Sequence, residues 1–434
     1  MGIYAIVKPS HRPLILCIGS CFIIAWASPL GLIPITASVL SGYLCGRICD
    51  KYRSSNVISS AALLLCTLVN LTAIVLFCIS KSFGSEPFTA IGAGIYTLHS
   101  VSYAFDVKRG ETEAQKSLMI VWAYIGFLPS LNSIPIVRYN EIKNDITEPK
   151  IRSDLLSNGI LIMLLGISEK LIVSDRLTVL FNDILNASSG ELSTIMSWIG
   201  ALLYGAALFT RLKGYAHIAQ GFAMMLGFKI ENSFDYPYSQ TSLQGFLNSY
   251  NISAVRFVHS YIARPISGTS SSMPRHLLAT AVSMTVLCLS YNFSLNFLLW
   301  GVTASLMIII EILAERRIEK IPKPIRYILT HILTLIGWGL ISQRTIVSSV
   351  GYVRGMFSGS MLIDPKPFFY FLSTAMPYFL LLFVFEMPVF KKLYIGISKK
   401  NYTFTAAAKP FVTFALLILC TSFLMAGGSQ SIFV

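Results

Sequence analysis

Residues 13–49 read PLILCIGSCFIIAWASPLGLIPITASVLSGYLCGRIC, an apolar run with no charged side chain before Arg47. One bilayer crossing takes roughly 20 apolar residues, so this run is long enough for two. Pro29, Gly31 and Pro34 fall near its middle, where a reversal of the chain needs residues that break a helix. Lys8 and Arg12 precede the run, and Arg47, Lys51 and Arg53 close it. Basic groups at both ends favour the same side of a membrane, so the stretch reads as a two-helix hairpin. It continues too far for a secretory signal and shows no small-residue cleavage site, which makes it the first membrane segment.

Comparable runs recur outward from it, at 57–80, 90–105, 118–137, 155–173, 195–212, 217–228, 276–313, 325–342, 368–390 and 406–426. The mean hydropathy of +0.66 agrees, as do 54% hydrophobic and 12% charged residues in a chain of 434. Such a composition excludes a large soluble core. The fold class that follows is an all-α polytopic membrane protein with about ten to twelve transmembrane or re-entrant helices.

The formal net charge of +14 does not mark a nucleic-acid binder, because the cations sit between apolar runs. Arg316, Arg317, Lys320, Lys323 and Arg326 form one such group, suited to a basic cytoplasmic loop beside anionic lipid headgroups. The eight cysteines lie in or beside apolar runs and read as small core residues, with no disulfide framework and no metal-ligand spacing. The most polar stretches, 140–157, 231–249, 267–275 and 315–326, are loop-sized, and no internal repeat is evident. One membrane domain over residues 1–434 is expected.

Shorter segments carry more specific information. Ala25-Trp26-Ala27-Ser28-Pro29 and Gly42-Tyr43-Leu44-Cys45-Gly46 punctuate the hairpin. Residues 92–103 lead into Asp106-Val107-Lys108-Arg109-Gly110-Glu111, and Pro135-Ile136-Val137-Arg138-Tyr139 follows. Residues 166–177 include Lys170, Asp175 and Arg176. Gly214-Tyr215 precedes Met225-Leu226-Gly227-Phe228, Asn232, Tyr236 and Pro237. Asn296-Phe297-Leu298-Leu299-Trp300-Gly301, Gly337-Trp338 and Gly427-Gly428-Ser429 complete the series. In this order and spacing, over nearly the whole chain, these segments resemble the membrane-bound O-acyltransferase (MBOAT) family. Its bacterial branch of alginate O-acetylases and teichoic-acid D-alanyl transfer proteins is the most similar.

The resemblance implies a helical bundle around a central cavity. There an acyl donor, such as acetyl-CoA or an acyl carrier, meets a glycan hydroxyl arriving from the other side of the membrane. A bacterial cytoplasmic (inner) membrane location and a partner envelope protein are implied with it. A sugar hydroxyl is a weak nucleophile, so a neutral imidazole must take its proton during attack. A second polar group then holds the geometry or stabilises the oxyanion.

The chain departs from the family at this point. The histidine of the family's WRRWHISLS segment falls on Asn251, and that of GLWHGASWNFLLWG falls on Tyr291. An amide is not a base, and a phenol with an ordinary pKa near ~10 is a poor one. The family's Asp before Gly214-Tyr215 falls on Arg211, and the following Asp on His217. If a histidine has been relocated, His259, eight positions after Asn251, and His217 are the candidates. His99 and His331 read as core residues, and His11 and His276 as interfacial ones. Arg138, Tyr139, Arg211, Lys213, Tyr215, Tyr250, Asn296 and Trp300 are the expected cavity and substrate-binding residues, with no metal.

Three functions follow as expectations. The first is a catalytically impaired relative, a pseudoenzyme, serving as a binding or accessory subunit of polysaccharide O-acylation. The second is an active O-acyltransferase rebuilt around His259 or His217. The third is a lipid or glycan transporter that reuses the tunnel.

Overall fold

A computed structural model gives the structure of residues 2–82, 92–131, 134–187, 193–268, 272–292, 294–358, 365–389, 392, 393, 396 and 402–425. The Gly427-Gly428-Ser429 segment lies outside this set. Every regular element among the described residues is helical. Among the described residues, eight helices are long and apolar enough to cross a membrane: Pro9–Ala27, Pro29–Lys51, Asn56–Val75, Ser153–Asn186, Thr194–Met225, Leu295–Leu313, Lys323–Ile341 and Ala407–Met425. Leu118–Ser130 and Phe368–Phe383 are shorter apolar helices. The expected all-α polytopic membrane architecture is the observed one.

The opening run divides near its middle into two helices, as its sequence implies. It breaks at Ser28, whose extended backbone (φ −159°, ψ 115°) precedes a single 3-10 turn, Pro29–Gly31. Proline can open a helix because its missing N–H lies where no intrahelical partner exists. The runs at 195–212 and 217–228, in contrast, do not form separate helices. They join in one helix, Thr194–Met225. Arg211 and Lys213 interrupt the apolar pattern without interrupting the backbone, because each has a polar partner inside the fold. The run at 155–173 also continues, through a π-turn at Glu169–Ser174, into Asp175–Ala187.

The chain forms two compact units. One comprises Met1–Met163 with Ala216–Glu231; the other comprises Leu164–Tyr215 with Asn232–Val434. In the first, Asn70 is the polar fastener. Its Nδ2 donates to Ser41 Oγ at 3.2 Å and Ser100 Oγ at 3.3 Å, while Ser100 Oγ donates to the Ser38 carbonyl at 2.6 Å. Three helices, Leu32–Lys51, Asn56–Ser82 and Ala93–Lys108, are thereby joined. Lipid tails are as apolar as leucine, so close packing and hydrogen bonds of this kind carry membrane helix association. Leu64, Leu65, Leu68 and Leu71 remain half or more exposed, as a lipid-facing stripe should.

The second unit is organised around aromatic side chains. Phe209, Phe246, Tyr250, Phe297, Trp300 and Trp338 are all buried in one cluster. Gly205 makes room for it, since a Cβ there would stand 2.3 Å from Trp338 Cδ1. Gly205→Ala should therefore cost about 1–3 kcal/mol by overpacking. Gly94, with nothing within 4 Å of its added Cβ, serves as the control. Gly94→Ala should be neutral or stabilising by about 0.4–1 kcal/mol, and melting of both variants in detergent checks the contrast.

Candidate functional site

The segment around Asn251 is built from two short helices, Leu243–Tyr250 and Ile252–Val258, which meet at that residue. At the start of the first, the Ser242 hydroxyl accepts the Gly245 N–H at 3.0 Å. Glu311, from the Leu295–Leu313 helix, adds a carboxylate to the same end. Its two oxygens accept the N–H groups of Leu243 at 2.8 Å and Gln244 at 3.0 Å. The first amides of a helix lack internal partners and carry partial positive charge, so a carboxylate there is doubly favourable. The preceding loop fixes the other end, with Asp235 N–H donating to the Ser249 carbonyl at 3.0 Å and Ile252 N–H to that of Ser233 at 2.7 Å.

Asn251 itself is buried, 3% exposed, and caps the second helix. Its Oδ1 accepts the Ala254 N–H at 3.2 Å and the Ser253 hydroxyl at 3.1 Å. Asparagine is among the best residues for that role. Tyr291 is the last residue of the Met273–Tyr291 helix, and its phenol lies near enough to the Asn251 side chain to interact with it. The structure thus brings near one another the two positions on which the resemblance places the family's histidines.

Aromatic rings enclose the pair. Tyr250 lies 6.3 Å from Tyr291, 5.4 Å from Trp338 and 5.6 Å from Phe209 between centroids. Trp300 stands 6.5 Å from Tyr291 and 5.3 Å from Trp338. The Tyr250 hydroxyl is buried without a hydrogen-bond partner, a costly state unless something accepts from it. Asn296 is turned to a structural task, its Nδ2 donating to the Gln343 carbonyl.

The other expected residues fall elsewhere. Lys213 is bound by Glu386 and by Glu169, the latter at 3.4 Å, and Arg211 Nη2 donates to Thr178 Oγ1 at 3.1 Å. Lys170 pairs with Asp175 at 2.9 Å across the π-turn. Tyr215 is half-buried near Arg211 and Asp175. Arg138 and Tyr139 belong to the first unit. Arg138 caps the Tyr139–Thr147 helix, its Nε 3.3 Å from Glu141. Tyr139 accepts from Gln115 Nε2 at 3.2 Å, and burial pushes its phenol up from the ordinary value.

Of the candidate histidines, His259 is exposed, on the π-turn His259–Ala263. His217 is half-buried on the part of the Thr194–Met225 helix that belongs to the first unit. His331 shows a feature that its apolar surroundings do not announce. Its Nε2 lies 2.9 Å from the Tyr238 carbonyl, which places the proton there, and its Nδ1 is buried without a partner. Glu311 and Glu386 were not singled out by sequence reasoning. Their signal is a lone acid inside an apolar run, which in a membrane is functional by default.

Two variants test this geometry. Glu311→Ala strands two helix-terminal amides and should cost about 1–3 kcal/mol, with faster amide exchange at Leu243 and Gln244. Lys213→Met leaves two facing carboxylates and should destabilise by about 3–5 kcal/mol, part of it regained in the Lys213→Met, Glu386→Gln double variant. Melting and exchange of the purified proteins supply both readouts.

Comparison with known proteins matches the sequence to one family. The sequence profile of MBOAT, the membrane-bound O-acyltransferase family, matches residues 25–346. The chain is 25% identical over 382 residues to a probable alginate O-acetylase AlgI of Pseudomonas aeruginosa, covering 82% of this chain and 72% of that protein. It is 22% identical over 243 residues to a peptidoglycan O-acetyltransferase of Helicobacter pylori, covering 54% and 45%. With a teichoic acid D-alanyltransferase of Bacillus subtilis it shares 25% over 179 residues, covering 40% and 44%. An integral membrane protein by its helices and matched over most of its length, this chain belongs to the membrane-bound O-acyltransferase family.

Proposed function

We propose that the protein binds an acyl donor and serves as a catalytically impaired, accessory member of a bacterial system that O-acylates cell-envelope polysaccharide, in the cytoplasmic (inner) membrane. The observation that carries this reading is the Asn251–Tyr291 pair. The two side chains lie near enough to interact, and neither is a base. The Asn251 carbonyl is occupied by two hydrogen bonds of its own helix cap. General-base assistance contributes about 10²–10⁴-fold, so a site without it holds substrate far better than it turns substrate over.

Binding chemistry is retained. The buried, unpartnered Tyr250 hydroxyl suits an acyl carbonyl oxygen, which would accept from it in a dry, aromatic enclosure. The donor is then a thioester, from acetyl-CoA or an acyl carrier, and the acceptor glycan is handled by a partner envelope protein. The rebuilt-enzyme reading draws on one observation, the free Nδ1 of His331 beside Tyr238 and Phe246. It competes with His217 and His259 for the role of base.

The purified protein should bind an acyl thioester without transferring it to an oligosaccharide above the uncatalysed rate. Tyr250→Phe should weaken that binding about tenfold, the loss of one hydrogen bond of ~1.4 kcal/mol. In cells, gene deletion should lower ester-linked acyl content of the surface polysaccharide, and a His217→Ala, His259→Ala variant should restore it. Transfer by the wild-type protein that disappears in His331→Ala would establish the rebuilt enzyme instead, and unchanged acyl content on deletion would remove both readings.

A further inference from the structure

The turn that joins the Leu295–Leu313 and Lys323–Ile341 helices, with the first residues of the second, carries five cations, Arg316, Arg317, Lys320, Lys323 and Arg326, against two acids, Glu315 and Glu319. All of these but Arg326 are exposed. Among the described residues, none of the five cations makes an ion pair or a side-chain hydrogen bond. Lys170, Lys213 and Arg211 of the same unit, by contrast, are bound to Asp175, to Glu169 with Glu386, and to Thr178.

Position and charge together select what these cations meet. Both helices are long and apolar enough to cross a membrane, so the turn between them emerges at a membrane surface. Exposed apolar residues run up to it on either side: Leu306, Ile310 and Leu313 on the first helix, and Ile325, Ile328 and Leu329 on the second. Spacings of three and four residues make each set a stripe along one helix face. A ligand here has cations for its head and hydrocarbon-facing side chains for its length, which suits a lipid and not a free phosphate. The cations outnumber the acids by three. A zwitterionic head would bring its own ammonium into that excess, whereas an acidic phospholipid brings only its phosphate. Arg326 is half-buried, with its Nε enclosed and unpartnered, so its guanidinium is anchored, and that planar group suits phosphate oxygens.

We propose that this turn is a docking site for an acidic phospholipid, such as phosphatidylglycerol, with its phosphate among the five cations and its chains against the apolar stripes. This goes beyond the acyl-donor reading and does not depend on the Asn251–Tyr291 pair.

The probe is phosphatidylglycerol with a diazirine near the head of one chain, compared with phosphatidylcholine bearing the same chain. Each is a trace component of phosphatidylcholine nanodiscs that hold the full-length protein, and labelling is mapped by peptide mass spectrometry. The phosphatidylglycerol probe should label residues 306–329 several-fold more than the phosphatidylcholine probe. A basic residue beside an anionic headgroup is worth about fivefold, so Arg316→Gln, Arg317→Gln should erase most of that preference with melting unchanged. Lys320→Gln, Lys323→Gln is an independent pair with the same expected loss, and the charge-preserving Arg316→Lys, Arg317→Lys should keep most of the preference. Unlabelled phosphatidylglycerol should compete, while glycerol phosphate in solution should not. Tyr250→Phe should leave labelling as it is, so that failure here is distinguishable from failure of the donor-binding reading. Equal labelling by the two probes, a preference that survives both glutamine pairs, or equal competition by glycerol phosphate would each overturn the proposal.

Discussion

The carboxylate of Glu311 on the amides of Leu243 and Gln244 is the interaction from which the site takes its shape. A helix of eight residues has too few internal hydrogen bonds to hold itself in place. Leu243–Tyr250 is such a helix, and its position is set from outside. Glu311 fixes one end, and the loop carbonyls and amides at Ser233 and Asp235 fix the other. Tyr250 and Asn251 then have one place to go, against Tyr291 and Trp338. An acid within an apolar helix carries a high desolvation cost unless it is paired, and two charge-assisted bonds to a helix start offset that cost.

The same logic explains how the chain tolerates Arg211 and Lys213 in the middle of a helix that spans a membrane. Glu169, Asp175 and Glu386 come from other segments, and Lys170, Lys213 and Arg211 meet them or a threonine hydroxyl. Three cations and three carboxylates thus stand in one neighbourhood of the second unit. The π-turn at Glu169–Ser174 contributes by placing Glu169 and Lys170 into that network from a helix that otherwise presents leucines. Such insertions recur at functional sites because they re-aim side chains without breaking the helix.

Much of this was legible in the sequence, and the reasons differ by residue. The hairpin at 13–49 was legible because proline and charge speak through local backbone chemistry and membrane topology. The family was legible because glycine and aromatic motifs sit where packing demands them, as Gly337 does against Trp300 Nε1. The resemblance names positions 251 and 291 separately; that their side chains come near one another is learned from the fold. The continuity of Thr194–Met225 was not legible, since a break and a buried charge look alike until the partner is known. Glu386 and Thr178 lie far along the chain from Lys213 and Arg211, and no local pattern announces such a pairing. The orphaned Nδ1 of His331 was equally hidden, because satisfaction of a buried histidine depends on the carbonyl of Tyr238 in a distant loop.

The placement that the resemblance implies, asparagine at position 251 where the family has histidine, has a structural side as well as a chemical one. Asparagine there terminates one helix and caps the next, a task worth about 1 kcal/mol. An imidazole is a poorer cap because its acceptor nitrogen carries a single lone pair, whereas the amide oxygen here accepts two hydrogen bonds. A histidine at this position would be drawn toward either the cap or a substrate hydroxyl, and would serve the second only by giving up the first. With asparagine the conflict disappears: the side chain commits its carbonyl to Ala254 and Ser253. An amide in this place has no proton affinity that could change during a reaction. The aromatic enclosure and the Tyr250 hydroxyl, whose roles require only shape and a hydrogen bond, keep their places.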